Sequence, residues 1–166
     1  MLFDAIERAW TVVNANFQTD FTALLSAKGV TGLTVSSIVK RETAEMMIAK
    51  GLTDPCIGIY GQGARTNMAK GGLGGLRDAL CAVVAELVIV SGDPAVAQQQ
   101  AELGAEVLVK EMCDRIANSP STTFGGGLED QSVDVQLSDG YTDQQAPNYI
   151  VVATVTVPIW DRDNTT

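Results

Sequence analysis

The sequence predicts an α+β domain: an antiparallel four-stranded sheet packed on one face by a long N-terminal helix and a central helix. Three patterns predict it. Residues 2–27 repeat apolar side chains at steps of three and four. Leu80 to Val90 is apolar at nearly every position and stops at Ser91-Gly92-Asp93-Pro94. Two later segments, 132–138 and 149–158, are extended and joined by a wide polar turn.

Taken in order, Phe3, Ile6, Trp10, Val13, Phe17, Phe21 and Leu24 form one helical stripe from Leu2 to Ala27, and its aromatic residues read as core. Lys28-Gly29 ends the helix with a cation and a glycine. Val30 to Val39 is mixed, either extended or an irregular connection. Arg41 to Ala49 suits a short helix with Ala44, Met47 and Ile48 inward and Gly51 as its stop. Pro55 to Gly61 is a short strand that offers Cys56, Ile57, Ile59 and Tyr60 for burial. A glycine-rich stretch at about 61–76, with Gly63, Gly71, Gly72, Gly74 and Gly75, reads as a long mobile loop.

The run from Leu80 to Val90 suits a central strand covered on both faces. Asp93 stands at the N-cap of the helix that follows, and Pro94 at its first position needs no N–H partner. Leu103, Val107, Leu108, Met112 and Ile116 make that helix's stripe, with Lys110 and Arg115 toward its cation-favouring end. Ser119 to Gly127 is a flexible connection. Ser132 to Ser138 alternates, which predicts one buried and one wet face, and a wide C-terminal hairpin spans about 131–159. On its last strand Tyr149, Val151, Ala153, Val155 and Val157 share one side, and Ile150, Val152, Thr154 and Thr156 share the other. Asp161 to Thr166 reads as a polar tail. The whole, 1–166, reads as a single domain. Two helices cover one face of such a sheet, so the other needs the middle segment or another subunit.

Composition narrows function. The chain has no histidine, which removes the commonest general base and metal ligand. Cys56, Cys81 and Cys113 are odd in number and far apart, which points to free thiols in a reducing compartment. The N-terminus lacks the basic and apolar blocks of a signal peptide, and no run reaches membrane-spanning length. Gly61-Gln62-Gly63-Ala64-Arg65-Thr66 lacks the third glycine of a dinucleotide loop, and Lys70 is followed by glycines instead of Ser or Thr. Glu86, the one acid in the apolar run, is expected at a strand end or beside a cation. The acid pairs Glu129-Asp130 and Asp139 with Asp143 lack calcium-loop spacing and read as solvated turns. No enzyme activity, cofactor or metal is expected. Nor does a net charge of −9 suit nucleic-acid binding. Charge is nonetheless uneven: Lys40 to Arg77 holds six bases and three acids, whereas the chain from Asp78 onward holds fourteen acids and three bases.

The long first helix, Pro55 opening a short strand, the long apolar strand, Asp93-Pro94 opening a helix and the wide final hairpin together resemble the tail terminator proteins of long-tailed bacteriophages. They are also similar to related phage neck and head–tail joining proteins. The resemblance covers about the whole chain as a pattern of elements. It implies a structural virion protein, made in the host cytoplasm, that forms a homo-oligomeric ring, typically a hexamer. Such a ring caps the head-proximal end of the tail tube, stops polymerisation and joins the tail to the head or neck. The implied partners are the major tail tube protein and a neck or head connector protein. DNA passes through the lumen without specific binding, which an acidic lining favours.

Two other readings stand beside it: a neck or head-completion protein, and a small-molecule-binding α+β domain with the glycine-rich loop as its lid. For a ring, the uneven charge suggests that Arg65, Lys70 and Arg77 form a subunit interface. They would face acids of the adjacent copy on the Glu102–Asp114 helix or the Glu129–Asp143 hairpin.

Overall fold

The structure, a computed structural model, describes residues 2–66, 77–115, 133–138, 141–142 and 149–163. Its elements are α1 (Leu2–Ala27), β1 (Ser37–Lys40), α2 (Ala44–Ala49), β2 (Cys56–Thr66), β3 (Arg77–Ser91), α3 (Pro94–Lys110), a π-helical turn (Glu111–Arg115), β4 (Asp134–Leu137), β5 (Tyr141–Thr142) and β6 (Tyr149–Asp163). One sheet runs in the order β1-β2-β3-β6-β4, with β5 paired to β6 off that path.

The α+β class holds, and the four expected strands pair antiparallel as β2-β3-β6-β4. The sheet as a whole is mixed, not a four-stranded antiparallel one, because β1 adds to β2 in parallel, Ser37 opposite Cys56 and Lys40 opposite Ile59. A parallel pair needs a crossover between its strands. Residues 41–55 supply it, and α2 is the crossover helix.

β1 is invisible to periodicity because the chain before it is held by side chains. Gln18 on α1 donates to the Leu33 carbonyl at 3.0 Å and accepts from the Val35 N–H at 2.8 Å. Gln100 on α3 donates to the Thr31 carbonyl at 2.8 Å. Backbone groups that a ladder would satisfy in a strand are here satisfied by two glutamines.

The main core lies between the sheet and the α1/α3 layer. It takes Ala9, Val13, Phe17, Phe21 and Leu25 from α1, and alternate residues Cys81 to Ile89 of β3 and Val151 to Ile159 of β6. Phe17 and Phe21 are fully buried with ring centroids 5.0 Å apart, and each contributes about 1.5–3 kcal/mol of burial. Phe3 does not join them: it is 63% exposed, and the Arg41 guanidinium lies over its ring. The expected stripe on α3 is present at Val107, Leu108 and Met112, but the closest approach is made by small residues, Ala97, Ala101, Gly104 and Ala105. A Cβ on Gly104 would run into the Leu87 side chain, so α3 sits lower on the sheet than a leucine stripe permits.

The opposite face is apolar at one end, where Cys56, Val88, Ile150 and Val152 meet Ala44 and Met47 of α2. The missing cover for the second face thus comes, there, from the middle segment. At Gly58 the sheet admits the crossover closely enough that a Cβ would strike the Glu42 carbonyl oxygen. Arg41, with φ 61°, and Gly51, with φ 82°, turn the chain at either end of the α2 segment in the left-handed region.

Three boundaries differ from expectation. β2 continues through Thr66 and β3 begins at Arg77, so the start of the expected 61–76 loop is strand; residues 67–76 lie outside the described part. A bulge between Gly61 and Gly63 carries β2 past its polar, glycine-containing stretch without breaking its pairing to β3. β6 runs to Asp163, through half of the expected polar tail, because β3 pairs with it from Arg77–Asp163 to Ser91–Tyr149. β4 shows no buried face: Asp134 to Leu137 are all exposed. It is an edge strand, and its alternation aims Val135 and Leu137 to the α3 side beyond that helix's cover.

Asp93 caps α3 as the sequence predicts, accepting from the N–H groups of Ala95 at 2.9 Å and Val96 at 3.3 Å. Asp93→Ala is expected to cost about 0.5–2 kcal/mol. Chemical denaturation of both proteins checks it; an unchanged midpoint would show that the cap contributes nothing.

Candidate functional site

The three cations expected to share an interface do not share one place. Arg65 lies in β2 opposite Leu80, and Arg77 opens β3 opposite Asp163. Leu80 and Arg77 are an odd number of rungs apart on β3, so the two arginine positions belong to opposite faces of the sheet. Lys70 lies outside the described residues. Of the acids expected opposite them, Glu102, Glu106 and Asp134 are exposed, and Glu111 is fully buried in the π-helical turn. Glu129, Asp130, Asp139 and Asp143 lie outside the described residues.

Other cations of the basic middle are engaged within the chain. Lys40 and Arg41 meet the two oxygens of Glu7 at 2.7 and 2.9 Å, and Lys50 meets Glu42 at 2.7 Å. Lys40 also lies 4.6 Å from the centre of the Trp10 ring, and the Trp10 indole N–H donates to the Ile38 carbonyl at 2.8 Å. Hydrogen bonds from Lys40 and Arg41 hold the Glu7 carboxyl below its ordinary value of 4.5. This cluster ties β1 to α1.

Its sign in pH is fixed. A carboxyl with a depressed folded value contributes stability above its unfolded value and loses it as pH falls through the folded one. Glu7→Gln is expected to lower the melting temperature at neutral pH and to leave it nearly unchanged below the folded Glu7 value. Melts across a pH series check this; an equal loss at acid and neutral pH would show that the ion pairs do not titrate.

Glu86 does not sit at a strand end, and among the described residues no cation pairs with it. From the centre of β3 its carboxylate accepts from the Ala44 N–H, the first residue of α2, and from the Tyr60 hydroxyl. Thr43 caps the same helix by accepting from the Met46 N–H at 3.2 Å. This half-buried acid is therefore compensated by the positive end of a short helix. Burial, the Glu86 charge and their hydrogen bond push the Tyr60 hydroxyl up to about 12. Sequence reasoning missed this because the partner is a backbone amide 42 positions away.

Beneath α2 the Cys56 thiol lies 3.1 Å from the Met47 sulfur. Burial first, then the charge of Glu42, pushes its pKa to about 11. Cys56, Cys81 and Cys113 are all buried thiols outside any disulfide, as the sequence predicts. An open cleft lies beside this pair, between α2 and β1, with Val39 and Leu52 on its walls and Glu42, Lys50 and Asp54 at its rim. A second groove runs between α1 and α3 by Asp20, Leu24 and Lys110. Among the described residues, no group of three or more His, Cys, Asp or Glu is placed to hold a metal, and no helix is long and apolar enough to cross a membrane.

Glu86→Ala should release α2 before anything else. The expected cost is about 1–3 kcal/mol for the donors left unsatisfied. In native buffer, Cys56 should then react faster with a thiol reagent while Cys81 and Cys113 stay protected. Peptide-resolved labelling checks it; equal protection of Cys56 in both proteins would mean α2 holds without Glu86.

Among the described residues, the exposed large apolar side chains are Phe3, Met46, Val135 and Leu137. The last two lie together on β4, whose strand neighbour among the described residues is β6 alone. Protein-family models and curated proteins were both searched, and none matches this chain.

Proposed function

We propose that this chain is a structural virion protein: a ring-forming tail terminator that caps the head-proximal end of a phage tail tube, stops its polymerisation and joins the tail to the head or neck. The observation that carries the assembly part of this reading is β4. An edge strand with Val135 at 45% and Leu137 at 36% exposure is a feature that monomeric proteins suppress with lysine, proline or a covering element. A subunit of an assembly has a use for it.

The terminator part is supported by the resemblance in element order. The physical form of the chain is compatible with it, with one face of a long sheet closed by α1 and α3. The ring's partners are the major tail tube protein below and a neck or head connector protein above. An acidic chain of net charge −9 suits a lumen through which DNA slides without sticking.

Two measurements test this. Sedimentation and negative-stain imaging of the pure protein are expected to give a closed ring, and a monomer at all concentrations overturns the reading. Tail tubes grown from their own subunits with and without this protein are expected to stop at shorter lengths in its presence. Unchanged tube length with binding to the head connector would move the ring to the neck.

A further inference from the structure

Among the described residues the sheet has two edges, and they are unlike. β1 covers β2 only from Cys56 to Ile59, so from Tyr60 to Thr66 β2 has a strand neighbour on one side only among the described residues. At the other end of the strand order stands β4. Ser138 exchanges hydrogen bonds with Val152, and Gln136 stands opposite Thr154. By the two-residue period, the N–H and C=O groups of Val135 and Leu137 point away from β6.

The two edge strands also differ in charge: Tyr60–Thr66 carries Arg65 and no acid, whereas β4 carries Asp134 and no base. By contrast, β1 is stoppered: Trp10 occupies the outward carbonyl of Ile38, and Glu7 holds Lys40 and Arg41. Neither Tyr60–Thr66 nor β4 contains a lysine or proline, the usual guards of an edge.

We propose that these two edges meet between copies, β4 of one subunit pairing with the 60–66 part of β2 in the next. The inference rests on the ring reading and deepens it by naming the strands that close the ring. One patch meets a different patch, which is the heterologous contact a ring requires. Along the order β2-β3-β6-β4 each neighbour is antiparallel, so β4 runs opposite to β2. Copies that keep one orientation about the ring axis therefore bring the two edges together antiparallel. Val135 and Leu137 gain cover from the neighbour, and the charges set which edge meets which.

The test uses the whole chain. Gln62→Cys or Ala64→Cys, both at exposed positions, is combined with Val135→Cys. Adjacent strands bring Cα atoms within disulfide range, and the three native thiols are buried. Mild oxidation of the double variants is expected to give a ladder of linked subunits on a non-reducing gel, absent from each single variant. Val135→Pro removes an outward N–H without touching the β6 ladder. It should raise the concentration at which subunits associate by about tenfold or more. Asp134→Lys should weaken association likewise, and Arg65→Glu in the same chain should restore it.

If the wild type sediments as a monomer, the ring reading fails and this inference with it. If it forms rings, yet neither double variant yields a ladder and Val135→Pro associates like wild type, the ring stands and this pairing is wrong. A variant that does not fold is recognised by its circular dichroism, and the cross-links at exposed positions then decide alone.

Discussion

A strand that is apolar on both faces cannot rest on a surface; it has to be enclosed, and β3 is such a strand. Cys81, Val83, Ala85, Leu87 and Ile89 face one way, Val84 and Val88 the other, and all are buried. Neither α1 nor α3 can cover more than one side. The fold answers with a chain that visits both faces in turn: α1 on the first, α2 on the second during the β1–β2 crossover, and α3 back on the first. The parallel pairing of β1 follows from that itinerary, because a helix delivered to the far face between two neighbouring strands leaves them running the same way.

Closing the second face needed a compromise at Glu86. An ionised carboxyl in the middle of an apolar strand is costly unless it is hydrogen-bonded. Here the first N–H of α2 and the Tyr60 hydroxyl supply those bonds, so one group orients the helix that covers its own strand. Gly58 lets the chain lie low enough for that contact, and the left-handed turns at Arg41 and Gly51 return it. The second face is therefore specified by polar geometry as much as by apolar burial, in contrast to the dense α1/α3 side.

That difference decides what could be read from the residues alone. α1, the Asp93-Pro94 start of α3, and the two faces of Tyr149 to Pro158 were legible because each rests on a local period or a local cap. The stretch leading into β1 was not, since Gln18 and Gln100 hold Thr31, Leu33 and Val35 by side-chain bonds from distant helices, and β1 itself is only four residues long. The small-residue seam of α3 was hidden because alanine and glycine carry little weight in an apolar pattern, although they set how close the helix lies. The strand ends of β2 and β6 were missed because register with β3 overrode glycine and charge. For the interface residues, legibility stopped at net charge: spacing along the chain gave no hint that Arg65 and Arg77 occupy positions of opposite parity on the sheet.

The place of β6 bears on how the molecule comes into being. It follows every other strand in the chain, yet it stands inside the sheet, between β3 and β4, paired with β3 at every rung from Tyr149 to Asp163. On the ribosome, helices, crossover and hairpin all emerge before it. Until it arrives, the longest apolar strand has one bare side, and β4 and β5 have nothing to pair with. The nascent chain thus waits with its most adhesive surface open, at a stage when contacts distant in sequence have not yet rewarded the loops they close. Synthesis that stalls short of Tyr149 would release a chain that has its helices but no finished sheet, a natural client for a chaperone.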